Sequence, residues 1–256
     1  MESVGSTEEK QTNGSYHASF DIGNPCTSLV NSMEEGVESL SPISLECSIY
    51  RVPNRLRHGN ERVYTYKSHI VSIGPFHYGK ESLRAMEEQN LRYLKAFIER
   101  TVKSMGFYIQ VVREKEARLC GYYSDTIQFN SEQFVKIILL DAAFIIEVLL
   151  RFYFKTGRNL NVTILYKPWV IRDVSADMVL LENQLSFFIL QHHYDAGKKM
   201  QHEQRLASIN ELSIYFFKIV VYNLKGTEDH KLELLHSPRI EHFVELIRYL
   251  YIPSKK

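Results

Sequence analysis

The chain has 256 residues, 45% hydrophobic and 24% charged, with a formal net charge of +1 at pH 7. That apolar content can bury one substantial core, while the near-neutral balance gives no general pull toward nucleic acid or an anionic membrane. Three scattered cysteines, Cys26, Cys47 and Cys120, have neither the density of a disulfide scaffold nor the CxxC spacing of a zinc site, so a reducing, cytoplasmic setting fits.

Residues 1–44 are rich in Ser, Glu, Gly and Asn with isolated hydrophobics, a composition that reads as a mobile tail without a signal peptide. From residue 45 the character changes. Arg51, Arg55, Arg57 and Arg62 cluster, and Pro53, Gly59 and Pro75 break any long helix. Extended chain and turns are expected there, with at most a short strand over residues 70–73. Helical periodicity starts at Ser82 and carries Leu83, Met86, Tyr93, Leu94, Phe97, Ile98 and Val102 on one stripe through to Gly106, interrupted by Asn90. A second, more charged helix is predicted over 111–119, ended by Gly121.

The central stretch is 134–154, FVKIILLDAAFIIEVLLRFYF. Asn130 and Gln133 form a capping box ahead of it, and Gly157 is the expected stop. Its length suits a bilayer, but Lys136, Asp141, Glu147 and Arg151 would each cost about 2.5 to 3.5 kcal/mol near the membrane centre. A buried helix of a water-soluble core is therefore expected. Lys136, Ala143, Glu147 and Arg151 share one side, and apolar residues encircle Asp141. A carboxylate so placed must meet a cation or hydrogen-bond donors, or take up a proton. An arginine from the 51–62 cluster is the expected partner, in a structural tie and not as a catalytic acid.

Further on, β-branched and aromatic residues around Pro168 predict a short strand or an extended crossing, with Trp169 in the core. Ser175 then caps a helix over 177–195, closed by Gly197. Within it Glu182, Asn183 and Gln184 are consecutive among leucines, so at least one must point inward and be hydrogen-bonded. Two more helices follow, over 206–224 with a stop at Gly226, and from the Ser237–Pro238 cap to Pro253. The fold class is thus mainly α, an irregular multi-helix globular domain over 45–254 with at most a few short strands.

Gly74 to Lys80 imitates a phosphate-binding loop, and Ile137 to Asp141 imitates the apolar strand that ends in a magnesium-binding aspartate. Against this, Glu81 replaces the metal-binding hydroxyl, Pro75 removes a backbone donor, and the apolar run continues as a helix. His192 and Asp195 are three apart on a helix, with no third metal ligand placed. Asp141, Glu182, Asn183 and Gln184 are therefore read as a structural polar core. No catalytic, cofactor-binding or metal-binding residue is assigned, and no cofactor is expected.

Cys47 to Pro53 with Leu56-Arg57, Val71 to Pro75 with His77 and Gly79, Met86 to Glu88 with Arg92 to Leu94, Leu139 to Asp141 with Phe144-Ile145 and Glu147, and Leu181 to Leu185 with Phe187-Phe188 form ordered blocks. Together with His242 to Arg248 they resemble the plant family called domain of unknown function 247. Its motif positions correspond to Arg51, Pro53, Gly74, Pro75, His77, Gly79, Glu87 and Tyr93. Tyr78, Ala142 and Ala143, Ser68 and Ser186 depart from the pattern; Ser186 stands where a proline is usual, which puts a helix break there in doubt. Relatives in that family continue into a second half and a C-terminal apolar anchor, so the resemblance implies a shortened member with exposed apolar surface and no membrane span of its own. It implies no enzyme activity. Some grass members are associated with self-incompatibility recognition, so the expectation is a non-catalytic module for protein interaction or signalling, with an unidentified protein partner. The alternatives are a nucleotide hydrolase using Gly74 to Lys80, and RNA or acidic-partner binding through Arg51 to Arg62, although no nucleic acid is expected.

Overall fold

The computed structural model describes residues 25–38, 44–53, 70–155, 167–198, 207–220 and 240–251. The chain divides into two compact units, Met1–Ile43 and Ser44–Lys256. In the first, α1 (Pro25–Glu38) is helical where a structureless tail was expected. Leu29, Val30, Met33 and Val37 recur on it at helical spacing and are exposed, a local periodicity that composition alone hides.

The second unit is mainly α. Among its described residues every regular element is helical, and one isolated parallel bridge joins Ile49 to Tyr123. A 3-10 turn (Glu81–Leu83) leads into α2 (Arg84–Arg100). That helix stops six residues before the expected Gly106, because Thr101 turns extended at φ −84° and ψ 161°. Ser104 then caps α3 (Met105–Glu114) by accepting from Phe107 N–H. The expected single helix over 111–119 is instead the end of α3 followed, after Lys115, by α4 (Glu116–Gly121).

The central helix α5 (Ser131–Phe154) begins at the expected cap, where Asn130 Oδ1 accepts from Gln133 N–H at 2.9 Å. Lys155, in the left-handed conformation at φ 50°, ends it two residues before Gly157, which lies outside the described residues. It packs against α2, α3, and two later helices, α7 (Phe187–Gly197) and α8 (Ile209–Val220). Ile138, Phe144, Ile145, Val148 and Leu149 are fully buried, each favouring the folded state by about 1.5–3 kcal/mol over exposure. Contact on four sides overrides the expected polar face: Ala143 and Glu147 are buried as well, and only Lys136 is exposed in the stretch from Phe134 to Leu150. Glu147 is ion-paired with Arg100 from α2 and, at 3.0 Å, with Arg151 one turn on, and Arg151 also lies over the Tyr93 ring.

Of the stretch expected as a short strand or extended crossing, residues 159–166 lie outside the described residues and the part from Pro168 is helical, forming α6 (Pro168–Asp177) with proline in its first turn. Val170, Val174 and Asp177 face inward and Trp169 is 59% exposed, so it is not a core residue. The expected helix over 177–195 is broken, since residues 178–186 form turns and α7 starts only at Phe187. The break at Ser186 is therefore present without a proline. A reciprocal cap between Ser208 and Glu211 opens α8; Leu224 and Gly226 lie outside the described residues. The last helix, α9 (Phe243–Tyr251), starts later than its predicted Ser237–Pro238 cap, which also lies outside the described residues. His242 Nδ1 accepts from Glu245 N–H instead. No helix among the described residues is long and apolar enough to cross a membrane.

On α7, His193 is fully buried and stacked on the Tyr108 ring at 5.2 Å, its Nδ1–H donating to Ile189 C=O at 3.0 Å. Burial lowers its pKa from 6.5 to about 4. The unfolded chain therefore binds this proton more tightly. His193 should erode stability as pH falls from about 6.5 to about 4, by roughly 3 kcal/mol in all. Urea denaturation at several pH values should show this slope flattened in His193→Phe.

Candidate functional site

The polar residues that the sequence marks converge beneath two non-helical segments, 48–53 and 70–80, the second extended only over its first residues and turning from Gly74. Neither segment lies in a sheet, so their N–H groups need other acceptors. Ser48 and Ile49 N–H reach Tyr122 C=O at 3.1 and 2.9 Å, and Ser124 N–H returns to Ile49 C=O at 3.0 Å. Side chains serve five more, those of Val52, Ile70, Val71, Ile73 and Gly74.

Asp177, at the end of α6, accepts from Ile70 and Val71 N–H with one oxygen, at 2.7 and 2.9 Å. Asn183 Oδ1 accepts from Ile73 N–H at 2.7 Å, while its Nδ2 donates to Val71 C=O at 3.1 Å and Asp177 C=O at 2.9 Å. The amide thereby imitates a neighbouring strand. Asp141 Oδ2 accepts from Gly74 N–H at 2.8 Å. Glu182 accepts from Val52 N–H with one oxygen and lies 3.5 Å from His77 Nε2 with the other. Gln184 faces the other way, donating to Met178 and Leu180 C=O at 2.8 and 2.6 Å and accepting from Phe243 N–H at 3.1 Å. Glu182, Asn183 and Gln184 are thus all buried, in a turn and not on a helix.

Arg51, the described member of the expected arginine cluster, is not Asp141's partner. Arg51 Nε pairs with Asp125 at 2.7 Å and its guanidinium covers the Phe76 ring at 4.2 Å; Arg55, Arg57 and Arg62 lie outside the described residues. Burial raises the Asp141 pKa well above the usual carboxylate range; the Gly74 hydrogen bond works against that rise and the Glu87 charge adds to it. Burial, then the Asp141 charge, also raises the Tyr123 hydroxyl, which donates to Gln184 C=O at 3.1 Å.

The remaining marked positions scatter in role. Pro53 and Gly79 are exposed, whereas Pro75 and His77 are buried; Tyr93 sets its edge on Phe144 at 5.0 Å. His77 Nδ1 contacts Lys80 Nζ. In the imitation phosphate loop, Gly74 N–H already serves a carboxylate, His77 is 2% exposed, and Ile137 to Asp141 lie within α5. Asp195 pairs with Lys198 at 2.8 Å and His192 sets its edge against Phe188; no group of three metal-ligating side chains occurs among the described residues. Asp177 was missed as an acceptor, although its three-to-four spacing from Val170 and Val174 puts a carboxylate on the buried stripe of α6.

Gly74 has φ +72°, and a Cβ there would lie 2.6 Å from Gln184 O; Gly79 has φ +79° with nothing within 4 Å. Gly74→Ala should thus cost more than about 2 kcal/mol and Gly79→Ala about 1 kcal/mol, as read by urea denaturation. Asp141→Asn keeps a neutral acceptor for Gly74 N–H and should keep stability at neutral pH. Asp141→Ala orphans that donor and should lose about 1–3 kcal/mol.

The sequence pattern of domain of unknown function 247, described as plant protein of unknown function, matches residues 49–256. A UPF0481 protein of Arabidopsis thaliana is 28% identical over 214 residues, 81% of this chain and 42% of that protein. A putative UPF0481 protein of the same plant is 26% identical over 174 residues, 67% of this chain and 31% of that protein. The chain spans less than half the length of these curated relatives. No solved structure matches it.

Proposed function

The chain belongs to the plant domain of unknown function 247 family, and from that premise we propose that it is a non-catalytic module for protein interaction or signalling. The observation that carries this reading is where the buried acceptors go. Asp141, Asp177, Glu182 and Asn183 each accept from main-chain N–H groups of the two non-helical segments, and Gln184 from α9. A general acid or base must reach a substrate atom, whereas these groups sit under their own loop and are at most 4% exposed. They hold the architecture that presents an outer surface. On that surface Val102 and Trp169 are 60% and 59% exposed, the kind of apolar and aromatic group that anchors partners. The three scattered cysteines of the sequence, without disulfide-scaffold density or CxxC spacing, favour a reducing, cytoplasmic location.

Proximity labelling with the intact chain in plant cells is expected to recover a reproducible partner set that survives Asp141→Asn. Substrate turnover by the purified chain that vanishes in folded Asp141→Asn would overturn the reading.

A further inference from the structure

A groove of about 590 Å³ runs between the first turns of α2 and the N-terminal half of α5. Ala85, Leu91 and Leu140 supply its apolar surface, with Leu91 52% exposed. Two of the glutamates that line it are matched: Glu81 by Arg84 at 3.6 Å and Glu88 by Arg92 at 2.7 Å. Glu87 and Lys136 line the same groove from opposite helices, and among the described residues neither makes a hydrogen bond or an ion pair. Glu87 is only half-exposed. Its unneutralised charge reaches inward, adding to burial in raising both the Tyr78 hydroxyl and the Asp141 carboxyl.

An apolar surface flanked by one unmatched anion and one unmatched cation is complementary to a ligand with the reverse pair of charges around an apolar group. A phosphate-rich ligand or an anionic membrane would meet three glutamates here. We propose that this groove docks a peptide segment of a partner protein, seating an apolar side chain on Ala85, Leu91 and Leu140 between a basic residue at Glu87 and an acidic residue at Lys136. The proposal rests on the protein-interaction reading above and assigns that reading a site.

The test selects from a random displayed-peptide library on the intact chain, then measures the synthetic selected peptides by fluorescence anisotropy. Selected peptides should carry an apolar residue between a basic and an acidic one. Glu87→Lys should weaken them about tenfold or more, and exchanging the peptide's basic residue for Glu should restore binding. Leu91→Asp, at an exposed position, should abolish binding with the fold kept. Peptides that bind Glu87→Lys and Leu91→Asp as tightly as the unchanged chain, or a library that yields no binder, overturn the proposal. If proximity labelling still recovers the same partners with Glu87→Lys, the groove is excluded and the interaction function stands; if labelling recovers none, both fall.

Discussion

An extended segment with no sheet beside it carries N–H groups that water cannot reach once the segment is buried. In this protein side chains from two distant places answer that requirement: Asp141 from the middle of α5, and Asp177 at the end of α6 with Glu182 and Asn183 from the connection that follows it. The rest of the second unit follows from it. The α6–α7 connection cannot continue as helix, because three consecutive side chains on a helix would turn by 100° each and could not reach Val52, Ile73 and Phe243 together. Gly74 must be glycine, because the chain passes so close to Gln184 O that a Cβ would collide.

The two acids of α5 show two answers to one problem. Glu147 lies between Arg100 and Arg151, so opposite charges replace its lost hydration. Asp141, six residues earlier, meets one backbone donor, the Gly74 N–H, and burial raises its pKa. A long helix buried on several sides can hold both, because each acid meets a different neighbour: α2 for Glu147, the 70–80 segment for Asp141.

Local grammar was legible in the chain. The Asn130 cap, the interior character of the central run and the family blocks all appear in the structure or the comparisons. What misled was reading each signal with its neighbours alone. Trp169 looks like a core residue by type, yet α6 turns it outward because Val170 and Val174 take the inner face. Glu182 to Gln184 correctly announces inward polar groups, but periodicity alone places them on a helix, whereas they lie in a turn. Which donor meets which acceptor depends on chain segments from 59 to 130 residues apart, and no short window records that.

That separation has a consequence for synthesis. Ile73 and its acceptor Asn183 are 110 residues apart, and Val71 and Asp177 are 106 apart. A ribosome working at 5–20 residues per second would release the earlier segment roughly 5–20 s before its acceptors emerge. Throughout that interval the segment is hydrated and open to chaperones, so the nascent chain cannot acquire its final form element by element from the front.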